Sequence, residues 1–272
     1  MSAKNRSLAP MSLLLLALAG CEVTPAMMST NVVPPPKPSI PTKVEDKSPI
    51  VEKIAKEVTI RIFSESAPGS GVTISRTGKT YTVLTCRHVI EGIQKANYRV
   101  LLPDGKTYSA RLKPSPNLKD LDLATIEFDS DSTYPVIELG DSQRLLPDAA
   151  VYAAGFPNQH VENPEKIEDT TDWGSKAFRF TSGKVGLISA RSLPDGYSLG
   201  YTNEVESGMS GGPVFNDKGQ LVGINGRLKY PIQGLDAFTF ADGTKPSVEI
   251  FQQMEALSWA IPISNYRQIA EK

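Results

Sequence analysis

The sequence predicts an all-β fold of antiparallel strands, and three observations carry the prediction. About a dozen short runs of alternating or wholly apolar residues follow one another from residue 57 onward. Glycine, aspartate and proline punctuate them. The stretch they occupy, about 220 residues, suits an all-β domain that can bury a substantial core. The first expected strands are Val58–Ile62, Gly71–Ser75, Tyr81–Thr85, Tyr98–Leu102, Tyr108–Leu112 and Asp122–Phe128, with Thr77-Gly78-Lys79 turning between the second and third. A second set comprises Ala150–Gly155, Phe178–Thr181, Lys184–Ser189, Leu199–Thr202, Pro213–Phe215, Leu221–Asn225 and Trp259–Ile263. A short helix is expected at Ser264–Glu271, capped by Ser264 or Asn265.

The N-terminus has a different character. Lys4 and Arg6 precede an apolar run, Met11–Gly20, that is too short to span a bilayer. Its ending, Leu18-Ala19-Gly20-Cys21, resembles the lipobox of bacterial lipoproteins, where cleavage precedes the cysteine and the thiol is acylated. The resemblance implies a signal peptide at 1–20, lipidation of Cys21 and a membrane anchor of two or more acyl chains. An ordinary signal peptide with a nearby cysteine is the plainer alternative. Glu22, rather than aspartate, favours the outer membrane by analogy with sorting rules, so the expected location is the periplasmic side of the envelope or the cell surface. Residues 22–50 hold seven prolines and little periodicity, so 21–50 reads as a disordered, semi-extended tether.

Composition narrows the function. The net charge is −1; removing residues 1–20 takes away Lys4 and Arg6 and leaves 27 basic against 30 acidic residues, or −3. With no basic stripe and a balanced charge, nucleic acid is not an expected partner. Cys21 and Cys86 are the only cysteines, which excludes a disulfide framework. No His, Cys and carboxylate cluster has ligand spacing, so neither metal nor other cofactor is expected.

The richest chemistry lies in Gly208-Met209-Ser210-Gly211-Gly212-Pro213. A serine between glycines suits a nucleophile that needs an exposed hydroxyl and accessible backbone amides. Gly-x-Ser-x-Gly alone also fits an α/β-hydrolase elbow, whose histidine follows the serine. Here both histidines, His88 and His160, precede Ser210. The order His88, Asp122, Ser210 is left, with Asp120 as the rival acid two residues away. His160 lies in a polar run and reads as a solvated loop residue.

Thr85-Cys86-Arg87-His88-Val89, Asp122-Leu123-Ala124 and the serine motif together resemble the signatures of trypsin-like serine proteases, in particular the bacterial branch that includes the HtrA protease domain. The resemblance covers roughly residues 55–272. It implies two six-stranded antiparallel β-barrels, about 55–145 and 146–272, within a protease domain at 51–272, with the catalytic residues at their junction. It further implies His88 as general base, Asp122 as its orienting acid, Ser210 as nucleophile, and the amides of Gly208 and Ser210 as an oxyanion hole. Polypeptides are the implied substrates. Met209 replaces the aspartate that binds a new N-terminus in digestive zymogens, which argues against activation by that route. Leu221–Gly226 resembles the strand that pairs with substrate, with Gly223, Ile224, Asn225 and Gly226 lining the primary pocket. Glu204, six residues before the serine, is a candidate pocket floor that would select Lys or Arg, unless solvated or neutralised by Arg227. No sequence follows residue 272 to supply a PDZ module, so HtrA-type allostery and cage formation are not expected.

The resulting expectation is a membrane-tethered serine endopeptidase acting through an acyl-enzyme; oligomeric state is left open. A catalytically silent lipoprotein that binds peptides or mediates adhesion is the alternative, and an esterase on the same fold is a third reading. Residues 158–176 and 230–255, the latter with Phe238, Phe240 and Phe251, read either as surface insertions or as a lid or partner site. Cys86 and Trp259 are expected in the core.

Overall fold

Strand pairing closes two six-stranded antiparallel barrels, as the resemblance implies. The structure, a computed structural model, describes residues 46–270 apart from 65–66, 92–97 and 164. Cys21, its lipobox and the tether up to residue 45 lie outside the described residues. No helix among the described residues is long and apolar enough to cross a membrane.

An unexpected helix, α1 (Ser48–Val58), leads into the first barrel. Pro49 sits in its first turn, where a missing N–H leaves nothing unpaired, and Val51, Ala55 and Val58 form one buried face. The barrel then comprises β1 (Thr59–Phe63), β2 (Gly69–Thr77), β3 (Thr80–Thr85), β4 (Tyr98–Leu101), β5 (Thr107–Lys113) and β6 (Ala124–Asp129), in the closed order β1-β2-β3-β6-β5-β4. A single helical turn, α2 (Arg87–Ile90), follows β3, so His88 lies just past the strand rather than within it.

The second barrel uses β7 (Ala150–Gly155), then, after a separate hairpin of β8 (Gln159–Asn163) and β9 (Lys166–Asp169), β10 (Arg179–Ile188), β11 (Leu199–Tyr201), β12 (Pro213–Phe215), β13 (Leu221–Arg227) and β14 (Ser258–Pro262). Its order is β10-β11-β14-β13-β12-β7. Two strands expected at 178–181 and 184–189 are one, β10. Gly183, between the two expected segments, lets Asn203 approach: a Cβ there would lie 2.2 Å from the Asn203 side-chain oxygen. Helix α3 (Val248–Glu255) is capped by the Ser247 hydroxyl, and α4 (Ile263–Ala270) ends the described chain.

The two uncounted loops have distinct fates. In 158–176, the β8–β9 hairpin is tied to the first barrel by Arg61, a fully buried side chain that donates to the Thr170 carbonyl (2.7 Å) and hydroxyl (3.0 Å). His160 is half-buried there, its ring 5.3 Å from that of Trp173, rather than solvated. In 230–255, Phe238 and Phe240 are buried, and Phe238 packs on Phe251 and on Trp259 of the barrel wall. This loop extends the core rather than forming a free lid.

Candidate active site

Register alone brings His88 and Asp122 together. In the β3–β6 pair, Thr85 at the end of one strand faces Ala124 at the start of the other. His88, three residues past Thr85, and Asp122, two residues before Ala124, therefore emerge at the same end of the barrel. The His88 Nδ1 lies 2.6 Å from Asp122 Oδ2, and the His88 amide donates to Oδ1 at 2.9 Å. Asp120, the rival acid, is exposed in the preceding turn.

Asp122 is buried, and a third donor satisfies it: the Tyr197 hydroxyl, 2.5 Å from Oδ2. Burial alone would raise the pKa of this carboxyl, but the hydrogen bond and charge of His88, the Tyr197 hydroxyl and the His88 amide outweigh it and hold it below the usual range. Burial also pushes the Tyr197 hydroxyl well up, reinforced by the Cys86 thiol and the Asp122 charge, so it remains a donor.

Ser210 arrives from the second barrel on the turn before β12. Ser70 of β2 holds that turn at two points. Its amide donates to the Ser210 carbonyl (2.8 Å), and its hydroxyl donates to the Gly208 carbonyl (2.8 Å) while accepting from the Phe156 amide (2.8 Å). The turn packs tightly against the histidine segment: a Cβ on Gly211 would sit 2.2 Å from both the Ser70 carbonyl and the Thr85 hydroxyl. Asn225 stitches the same junction, its carbonyl accepting from the Gly211 amide and the Cys86 thiol, each at 2.9 Å. Among the described residues, the Ser210 hydroxyl itself makes no hydrogen bond.

The backbone at Gly208 is left-handed and tightly enclosed. Its φ is +97°, and a Cβ would lie 2.4 Å from the Asn158 side-chain oxygen. The Ser207 carbonyl accepts from the Asn158 amide at 2.8 Å, which turns the Gly208 N–H of the same peptide to the opposite side. Among the described residues, the amides of Gly208 and Ser210 donate to no protein atom. Met209, fully buried, packs on Gly155 in the second barrel's core; an aspartate there would be desolvated without a partner.

The expected specificity residues are less uniform. Gly223 and Ile224 are buried, and their backbones are enclosed between β12 and β14. Asn225 is also buried, its amide donating to the Gly212 carbonyl. Only Gly226 is half-buried, and there β13 has run past its last partner in β12. Glu204 lies at the surface, paired with Lys229. Arg227 does not neutralise it; its guanidinium lies over the Tyr197 ring and donates to the carbonyls of Ala237 and Pro194.

Cys86, His88 and Asp122 place three ligand-type atoms within 4.8 Å of one another. Of these, His88 Nδ1 is engaged with the carboxylate and the thiol with the Asn225 carbonyl. Burial raises the thiol pKa well above its usual value, which keeps it protonated and unlike a metal ligand. Sequence reasoning missed Tyr197 and Ser70. The only signal for Ser70 was its place between Gly69 and Gly71, and no local pattern marked Tyr197.

The family model described as trypsin-like peptidase domain matches residues 69–224. A probable periplasmic serine endoprotease DegP-like from Marinomonas sp. is 33% identical over 196 residues, covering 70% of this chain and 36% of that protein. The serine protease Do-like HtrA of Bacillus subtilis is 28% identical over 214 residues, 77% of this chain and 40% of that protein. A putative serine protease HhoB from Synechocystis is 30% identical over 172 residues, 63% of this chain and 37% of that protein. The chain thus spans well under half the length of these relatives.

Proposed function

Because this chain belongs to the trypsin-like peptidase domain family, we propose that it is a serine endopeptidase that cleaves polypeptides through an acyl-enzyme on Ser210. The observation that carries this reading is the His88–Asp122 pair, with the Ser210 turn bound to the neighbouring β2 through Ser70. In the proposed mechanism the Ser210 hydroxyl turns toward His88 Nε2 as substrate binds, since such bonds often tighten only in the reacting complex. His88 takes the hydroxyl proton as Oγ bonds to the scissile carbonyl carbon, and the oxyanion accepts from the amides of Gly208 and Ser210. The imidazolium, held by Asp122, then gives its proton to the leaving amine as the C–N bond breaks. Water enters with His88 again as base; the ester bond breaks, and the proton returns to Ser210 Oγ.

The naming of relatives as periplasmic and the lipobox-like Leu18–Cys21 support an anchored enzyme in the bacterial envelope. Substrate is proposed to add along the free edge of β13 at Gly226; an acidic pocket floor at Glu204 forms no part of the proposal. The test is peptide hydrolysis by the full chain and by Ser210→Ala. Loss of turnover in a variant that unfolds at the wild-type temperature supports the reading. Undiminished hydrolysis by the variant refutes it, and a folded wild type inert to peptides and esters alike favours a binding module.

A further inference from the structure

We propose that Tyr197 is a positioning residue for the catalytic acid, locking the Asp122 carboxylate in the plane that orients His88; this rests on the serine-hydrolase reading above. Tyr197 belongs to the segment between β10 and β11 of the second barrel, whereas Asp122 lies two residues before β6, the last strand of the first. The hydroxyl, 2.5 Å from Oδ2, shares that oxygen with His88 Nδ1, so the two donors together fix the carboxylate's rotation. Without the hydroxyl, the buried Oδ2 keeps a single donor.

The surroundings hold the tyrosine on this one target. Its ring is buried, covered by the Arg227 guanidinium 4.7 Å from the centroid. A Cβ on Gly226 would fall 1.8 Å from the hydroxyl oxygen, so the glycine at this point of β13 makes room for the phenol. The segment's backbone grips the acid as well. The Asp122 amide donates to the Asp195 carbonyl (3.0 Å), and Arg87 joins the Asp195 carboxylate (2.9 Å) while its own amide reaches the Asp122 carbonyl (3.2 Å). Leu193 closes the loop by donating to the Tyr197 carbonyl (2.8 Å). Asp122 is therefore held between the barrels by backbone and side chain together. The Tyr197 ring also backs Gly226 and Arg227, so the same residue joins the acid to the strand proposed to receive substrate.

The test compares the full chain with Tyr197→Phe, reading fluorophosphonate inactivation of Ser210 and the low-field proton resonance of the His88–Asp122 hydrogen bond. A hydrogen bond to a charged group corresponds to about ten- to a hundred-fold in rate. The expected result is inactivation slower by that factor, a shifted or broadened resonance, and no further loss when Tyr197→Phe is added to Asp122→Asn. If Tyr197→Phe does not fold, Gly226→Ala decides: its methyl displaces the hydroxyl while keeping the tyrosine, and the same resonance change is expected. Wild-type rate and resonance in the folded variant, or full additivity with Asp122→Asn, overturn the proposal. A folded wild type with no label on Ser210 instead overturns the serine-hydrolase reading beneath it.

Discussion

The Ser70 hydroxyl donates to the Gly208 carbonyl across the junction of the two barrels, at 2.8 Å. That bond fixes the peptide following Gly208, whose own amide is the proposed oxyanion donor. Ser70→Ala leaves two buried groups, the Gly208 carbonyl and the Phe156 amide, without this partner. The expected cost is about 2–4 kcal/mol, or a Tm lower by roughly 5–15 °C. Turnover falls further than stability explains, which thermal unfolding and peptide hydrolysis measured side by side would reveal. Equal Tm values would show that the cross-barrel bond contributes little.

Gly208→Ala probes the oxyanion hole more directly. The left-handed backbone at +97° disfavours any Cβ, and the nearest atoms, on Asn158 and Phe156, are within 2.6 Å of its position. Relieving that overlap rotates the Gly208 amide away from its present direction. Turnover is expected to fall about 10²–10³-fold, the usual cost of one oxyanion donor. Wild-type turnover in steady-state assays would dissociate this amide from catalysis.

Asp122→Asn replaces an acceptor with an amide that cannot hold the His88 tautomer, and a loss of about 10⁴-fold in turnover is expected. The same substitution tests a pH effect. The Asp122 pKa lies below its unfolded value, so its stabilising contribution is present above the ordinary aspartate range and is lost as pH falls through the lowered native pKa. Unfolding midpoints measured from neutral to acid pH should therefore fall more steeply in the wild type than in the variant. Parallel curves would contradict the shift.

Thr170→Val tests what holds the inserted hairpin. The Thr170 hydroxyl accepts from Arg61 and donates to the Pro157 carbonyl (2.5 Å), and valine leaves a buried cationic donor and a buried carbonyl short of partners. A loss of about 2–3 kcal/mol is expected, together with faster cleavage within 157–176 under limited proteolysis. Unchanged stability would mean that Arg61 finds another acceptor.

Much of this architecture is legible in the sequence because barrel strands declare themselves locally. Ala150–Gly155 and Pro213–Phe215 are found at their expected bounds, and Asp122 rather than Asp120 lies against His88. What escaped depends on contacts between distant segments. Helix α1 shows only three buried positions, too few to stand out beside a proline-rich stretch. Gly226 reads from sequence as a pocket glycine and Gly183 carries no motif, yet each makes room for a particular side chain, Tyr197 and Asn203 respectively. Tyr197 reaches Asp122 across 75 residues of chain, a relationship that no periodicity or motif encodes.

The central claim is that Ser210 is an activated nucleophile served by His88. The most direct measurement is fluorophosphonate labelling of the full-length chain, with the modified residue located by mass spectrometry. The account predicts a single modification at Ser210, abolished in His88→Ala although that variant keeps the wild-type circular dichroism spectrum. Folded wild-type protein that takes no label, or a His88→Ala variant labelled at the wild-type rate, would contradict it.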